Sequence, residues 1–274
     1  MSASAAWRGG FRDDSFFRVF GENELPQIDV SHPCSRVAHS TPGHRLDVGC
    51  RALARTPAPH QSPPLLALFF VSIQMLLTIA VASVVIFVRP VALFFVSSPA
   101  GFGLYIFLII LPFEVLCPLY YYYYQRHPVN LLLLALFTVA ISFAVGLTCA
   151  FTKGEVILES AILTTVVVVS LTAYTFSAAS RGHDFNFLGP FLFAAVMILM
   201  VFALIHAFFP LGRISLMVYG GLAALVFCGY IIYDTDNLIK RYSYDEYIWA
   251  AVALYLDVIN LFLSLLTLFR ASDS

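Results

Sequence analysis

The sequence predicts an all-α membrane protein, with seven transmembrane helices following a polar N-terminal tail. Three observations lead there. Of 274 residues, 60% are hydrophobic and 11% are charged, whereas a soluble domain carries about 25% charged residues. The mean hydropathy is +0.87. The charge is also skewed: Arg8, Arg12, Arg18, Arg36, Arg45, Arg51 and Arg55, seven of the fifteen basic residues, precede residue 64. This composition excludes an ordinary cytosolic enzyme, a nucleic-acid binder and a wholly disordered chain. The first partner it implies is a lipid bilayer, and no nucleic acid is expected.

Residues 1–63 read as a disordered tail. They show neither helical nor alternating periodicity, and the acids Asp13, Asp14, Glu22, Glu24, Asp29 and Asp47 largely cancel the arginines. No apolar core of secretory type follows the first arginines. Residues 64–274 read as the membrane domain. A hydrocarbon core about 30 Å thick needs roughly 20 apolar residues per helix, so runs free of Asp, Glu, Lys and Arg mark the spans. The first is 64–88. Pro99-Ala100-Gly101 reads as a loop, and the second span follows at 101–123 with Glu114 inside it. The third runs 128–152, where Pro128 suits the first helical position because its missing N–H has no partner to lose there. The others are 156–179, 188–210, 214–238 and 247–269. Tyr120 to Tyr124 close the second span as an aromatic interface belt would.

An odd number of spans places the two ends on opposite sides. The tail, Arg126, Arg181, Lys240 and Arg241 give one side eleven basic residues, against Arg89, Lys153, Arg213 and Arg270 on the other. The positive-inside rule then puts the N-terminus in the cytosol. The cysteines add little. Cys34, Cys50, Cys117, Cys149 and Cys228 form no C-x-x-C spacing, so neither zinc nor a disulfide framework is indicated.

Ionisable residues inside the spans carry the functional signal, since an Asp at a helix centre costs at least about 2.5–3.5 kcal/mol. Asp257 stands near the middle of the seventh span, with no cation within a turn. Asp234 and Asp236 end the sixth, just before Lys240-Arg241. Residues two apart on a helix point about 200° from each other, so at most one of this pair faces the seventh span. At 1.5 Å per residue, Asp234 lies roughly 9 Å inside Lys240 and Asp257 roughly 16 Å inside Glu246. The short connection makes the two helices antiparallel neighbours, so the acids reach comparable depth. Asn237 and Asn260, each three residues after an Asp, share its face. Two such acids titrate as a unit. Singly protonated, they hold two helices together. Fully ionised, they repel and offer oxygens to a hard cation such as calcium. In the other reading, Asp257 is a packing group bonded to backbone or to Tyr255. Glu114 could line a pathway or snorkel to the interface. Glu159 could act in the pathway or simply favour a helix N-terminus. His206 reads as a packing histidine.

These residues also carry a resemblance. Arg181 to Pro190, Ile231 to Ile239, and Asp245-Glu246-Tyr247 with Leu254 to Phe262 are similar to stretches of the Bax-inhibitor (transmembrane Bax inhibitor motif-containing) family, in its plant-type Lifeguard branch. His127-Pro128-Val129-Asn130 matches it too. The resemblance implies two three-helix layers around a central C-terminal helix. It also implies a pH-sensitive calcium leak across an endomembrane (endoplasmic reticulum or Golgi) that suppresses stress-induced cell death. The family's pH-sensing pair matches Asp234 and Asp257, and its basic partner matches Arg126 by position only. No cofactor is implied beyond calcium as the permeating or transiently bound ion. Other membrane proteins of the cell-death or calcium-handling machinery are the partners it suggests. The tail and the Pro63-Pro64 entry depart from the family pattern.

Rival readings fit less well. Presenilin-like proteases also place acids on two such helices, but a Gly-x-Gly turn precedes their second Asp where Leu254-Tyr255-Leu256 stands here, and no enzyme activity is expected. A retinal receptor needs a mid-membrane lysine, and Lys153 and Lys240 both lie at span ends. A non-conducting scaffold that regulates cell death by binding other membrane proteins remains the alternative.

Overall fold

The computed structural model describes residues 63–122, 127–209, 212–241 and 247–273. The tail therefore lies outside the described residues, as does Arg126. Eight helices follow one another among them: α1 (Pro63–Phe87), α2 (Arg89–Ser97), α3 (Pro99–Tyr122), α4 (His127–Ala150), α5 (Gly154–Ser180), α6 (Leu188–Phe208), α7 (Arg213–Lys240) and α8 (Tyr247–Asp273). All but α2 are long and apolar enough to cross a membrane. The expected seven spans are thus present, the sixth and seventh being α7 and α8.

One expectation is corrected. The stretch from 99 to 101 opens α3 instead of forming a loop. Ser98 is extended (φ −113°, ψ 141°) and is where the chain breaks. Its Oγ accepts the Gly101 N–H at 2.9 Å, an N-cap, and Pro99 occupies the first helical position. The residues before the break form α2, a helix the span pattern did not announce. Its Ala92 and Phe95 are buried, and Phe95 joins Val85 of α1 and Leu147 of α4 in a small apolar cluster.

α8 occupies the centre. Of its most apolar stretch 56% is buried, against 11% for α3 and for α6. It packs against α1, α4, α5 and α7. The other spans sort by their neighbours into α1–α4–α3 and α5–α7–α6, and α8 touches members of both sets. Apolar side chains gain little by leaving lipid for one another, so close packing must supply the attraction between membrane helices. Small residues allow it here. A Cβ on Gly220 of α7 would stand 2.9 Å from the Ser264 carbonyl oxygen and 2.9 Å from the Leu268 nitrogen of α8. A Cβ on Gly146 of α4 would stand 3.0 Å from the Ala82 Cα of α1. Gly220, near the start of α7, thus meets Ser264 and Leu268, near the end of α8, so the two helices run antiparallel and the latter half of α7 faces the first half of α8.

The far end of α8 is gripped by polar groups. Arg213, opening α7, donates from Nε to the Ala271 carbonyl at 2.6 Å and from its guanidinium to the Ser272 carbonyl. These carbonyls belong to the last turn of α8, whose C=O groups have no partner within the helix. Lys153, just before α5, pairs with Asp273 at 2.5 Å, and the Asp273 carboxylate holds the ammonium pKa above its ordinary value.

The Gly220 contact yields a first expected outcome. Gly220→Val should lower the detergent unfolding midpoint, with a cost of about 1–3 kcal/mol for overpacking a tight contact. Gly221→Ala, where an added Cβ meets nothing within 4 Å, should leave the midpoint unchanged or raise it. Scanning fluorimetry of the two variants side by side checks this.

Candidate functional site

Asp234 and Asp236, two residues apart on α7, point in different directions, and their partners define the site. Asp234 faces α8, where its carboxyl hydrogen-bonds to that of Asp257. Asp257 is buried and lies ten residues beyond Tyr247, about 15 Å along the helix axis. Asp234 is half-buried and lies six residues before Lys240, about 9 Å from that end. The helices are antiparallel, and because helical side chains lean towards the N-terminus, Asp234 reaches deeper and Asp257 reaches back, which closes the difference of about 6 Å. Asn237, on the Asp234 face one turn on, hydrogen-bonds to the Asp234 carboxyl. Tyr230, one turn earlier, lies within electrostatic reach of both acids. Asp257 Oδ2 and Asn237 Oδ1 are buried acceptors that receive no hydrogen bond from the described residues.

Asp236 points the other way and is fully buried. Its Oδ1 pairs with Lys240 Nζ at 2.7 Å, one turn along α7. Its Oδ2 accepts the Phe185 backbone N–H at 3.2 Å. The same Lys240 ammonium donates to the His183 carbonyl and approaches Asp184 Oδ1 at 3.6 Å. The end of α7 is thereby fastened to the 181–187 loop. That loop begins with a Schellman ending of α5: His183 N–H reaches the Ala178 carbonyl, Gly182 N–H reaches the Ala179 carbonyl, and Gly182 takes φ +82°. Asp184 then accepts from the Asn186 backbone at 3.2 Å and from the Asn186 amide at 3.0 Å.

The remaining sequence candidates stand apart from this seam. Glu114 on α3 and Glu159 on α5 are exposed on the outer faces of their helices. Asn260 is half-buried one turn beyond Asp257 on α8, and its backbone carbonyl accepts the Ser264 hydroxyl at 2.6 Å. Tyr255 does not join the acids. It sits two residues from Asp257, so it emerges about 200° away and turns towards α1 and α4. Among the described residues, no group of three or more His, Cys, Asp or Glu is placed to hold a metal ion. The acids thus form a pair and not a ligand cage.

Comparison with known proteins decides the lineage. The family model described as Inhibitor of apoptosis-promoting Bax1 matches residues 67–274. The chain belongs to the Bax-inhibitor family. Protein LIFEGUARD 4 of Arabidopsis thaliana is 72% identical over 203 residues, covering 74% of this chain and 82% of that protein. Protein LIFEGUARD 2 of the same plant is 71% identical over 204 residues, covering 74% and 85%. These relatives place it in the Lifeguard branch. The Golgi anti-apoptotic protein of vaccinia virus strain Lister is 42% identical over 149 residues, covering 54% of this chain and 61% of its own length.

Sequence reasoning missed a second polar group in this Lifeguard relative. Tyr255 is fully buried, its ring edge-on to Phe137 of α4 at 6.3 Å and its hydroxyl 2.8 Å from Thr78 Oγ1 of α1. Ser142 of α4 lies 3.1 Å from the same Thr78 oxygen, and Gln74 Nε2 donates to Thr138 Oγ1 at 3.1 Å. The available signal was the four-residue spacing of Gln74 with Thr78 and of Thr138 with Ser142, which puts two polar groups on one face of each apolar helix.

The loop fastening makes a pH-dependent expectation. The Asn186 backbone bond, aided by the Lys240 ammonium, holds the Asp184 carboxyl below its ordinary 3.8. A carboxyl depressed in the folded state stabilises fully above its unfolded value and loses that contribution as pH falls through the folded one. The Asn186 amide resonance should therefore titrate with a midpoint below 3.8, and Asp184→Asn should abolish the transition. Asp236→Asn at neutral pH should speed hydrogen exchange at Phe185 several-fold, because it removes the carboxylate shared by Phe185 and Lys240.

Proposed function

We propose that this Bax-inhibitor relative provides a pH-sensitive calcium leak across an endomembrane, gated by Asp234 and Asp257, and thereby restrains stress-induced cell death. One observation carries the gating reading: two carboxyls from different helices meet inside the membrane, where a lone ionised acid has no solvent to stabilise it. With one proton shared, the pair is a strong link between α7 and α8. When that proton leaves, two carboxylates face one another at short range and repel. The same event exposes oxygens to a hard cation. Calcium takes six to eight oxygen ligands, and two carboxylates with the Asn237 amide oxygen supply only part of that number. This favours passage over tight retention, with water completing the shell.

The cell-death role draws its support from family membership and from the names of the relatives, which speak of apoptosis inhibition and, for the viral protein, of the Golgi. The endomembrane location draws on the same names. The arginines of the tail support a cytosolic N-terminus by the positive-inside rule. The reading requires no cofactor and no covalent chemistry, and its ion is cargo.

The test is calcium entry into dye-loaded proteoliposomes across a pH series, with the parent protein and with Asp234→Asn and Asp257→Asn. Each substitution preserves shape and removes an ionisable group. Flux in the parent should depend on pH, and that dependence should be lost in both variants. If both variants leaked with unchanged pH dependence, the gate would lie elsewhere. If correctly inserted parent protein passed no calcium, a non-conducting scaffold would replace this reading.

A further inference from the structure

The polar cluster between α1, α4 and α8 has a composition that packing alone does not explain. Gln74, Thr78, Thr138, Ser142 and Tyr255, contributed by α1, α4 and α8, are all buried, at 0–4% exposure. Four of them spend their polarity on one another or on their own helices. Thr138 donates to the Leu134 carbonyl at 2.8 Å and so can only accept from Gln74. This fixes the Gln74 side chain, because turning its amide over would set two acceptors against each other. Thr78 donates to the Gln74 backbone carbonyl at 2.8 Å and so can only accept from Tyr255 and Ser142. Ser142 also has the Thr138 carbonyl at 2.5 Å. With protons assigned in this way, one strong acceptor is left over: Gln74 Oε1, which receives nothing from the described residues.

A buried amide oxygen without a donor bears its desolvation cost uncompensated, and in a bilayer no bulk water stands by to relieve it. The Tyr255 hydroxyl oxygen, donating its proton to Thr78, keeps a lone pair for a further donor. What such a place takes is a small molecule with two donor hydrogens that can also accept. We propose that the Gln74 side chain and its hydroxyl neighbours form a buried hydration site, in which an internal water donates to Gln74 Oε1 and links the five side chains into one network across α1, α4 and α8. Internal waters bind among about three polar partners, and here five polar side chains from three helices are joined by hydrogen bonds of 2.8–3.1 Å. The site lies on the face of α8 opposite the Asp234–Asp257 pair, so α8 is held at the same level by polar contacts on both sides.

Radiolytic hydroxyl footprinting of the full chain in lipid nanodiscs tests this, because radicals generated from a bound water label the reactive side chains beside it. Tyr255 and Phe137 are both fully buried aromatics in contact with each other, and only Tyr255 belongs to the network. Tyr255 should be labelled several-fold faster than Phe137 in the parent protein, with label drawn from isotopically heavy water only after slow exchange. Gln74→Leu, which removes the acceptor at similar volume, should bring Tyr255 down to the Phe137 rate. Equal labelling of the two rings in the parent would overturn the proposal without recourse to any variant. Fast Tyr255 labelling that persisted in folded Gln74→Leu would overturn it as well, since the water would then belong to another site.

Discussion

A polar group carried into the hydrocarbon interior must find its partner within the protein, and this requirement organises the molecule around α8. The helix bears Tyr255 and Asp257 two residues apart, so they emerge on opposite sides. One reaches Thr78 of α1, the other Asp234 of α7. Neither group could be placed against lipid without leaving a polar atom unmatched. α8 is therefore central because its side chains leave it no peripheral alternative, and the sets α1–α4–α3 and α5–α7–α6 are where its two polar faces are met. Close helix approach at Gly220 and Gly146 follows from the same geometry, since hydrogen bonds of ordinary length need backbones that can come near.

The spans were legible because a bilayer imposes a length on each helix and tolerates few charges within it. Both marks can be counted along a chain. The depths of Asp234 and Asp257 could be counted in the same way, because helical rise converts residue number into depth and the short connection makes the helices antiparallel. α2 was not legible. Nine residues are too few to show a span, and the Ser98 cap that separates it from α3 depends on one hydroxyl meeting one N–H. The direction of Tyr255 was equally hidden, since spacing says that it leaves α8 away from Asp257 but not which helix waits there. Glu114 and Glu159 show the converse. An acid in an apolar run has a depth that can be read from sequence, but its azimuth depends on neighbours the sequence does not name.

Asp236 and Lys240 illustrate a signal present but masked. Their spacing of four is that of a helical ion pair, yet Asp236 read only as the acid turned away from the seventh span if Asp234 faced it. The structure separates them by function of direction: Asp234 looks inward across the seam, while Asp236 looks to the 181–187 loop and is held by Lys240 and Phe185. The end of α7 thus answers to two neighbours. Its hold on α8 runs through acids in the membrane, and its hold on α5 and α6 runs through a charged loop at the surface.

The position of α8 in the chain has a consequence for biogenesis. The most enclosed helix is also the last of the eight described to be synthesised, and membrane helices insert individually before they pack. Until it arrives, Thr78 and Ser142 on one side and Asp234 on the other lack the partner that α8 brings. The earlier spans must then wait in the bilayer as an incomplete shell, with polar faces turned towards an unfilled centre. Arg213, emerging at the head of α7, is already in place to receive the final carbonyls of α8 when that helix inserts. Nascent chains halted before α8 would therefore be the form most dependent on membrane chaperones and most open to quality-control proteolysis.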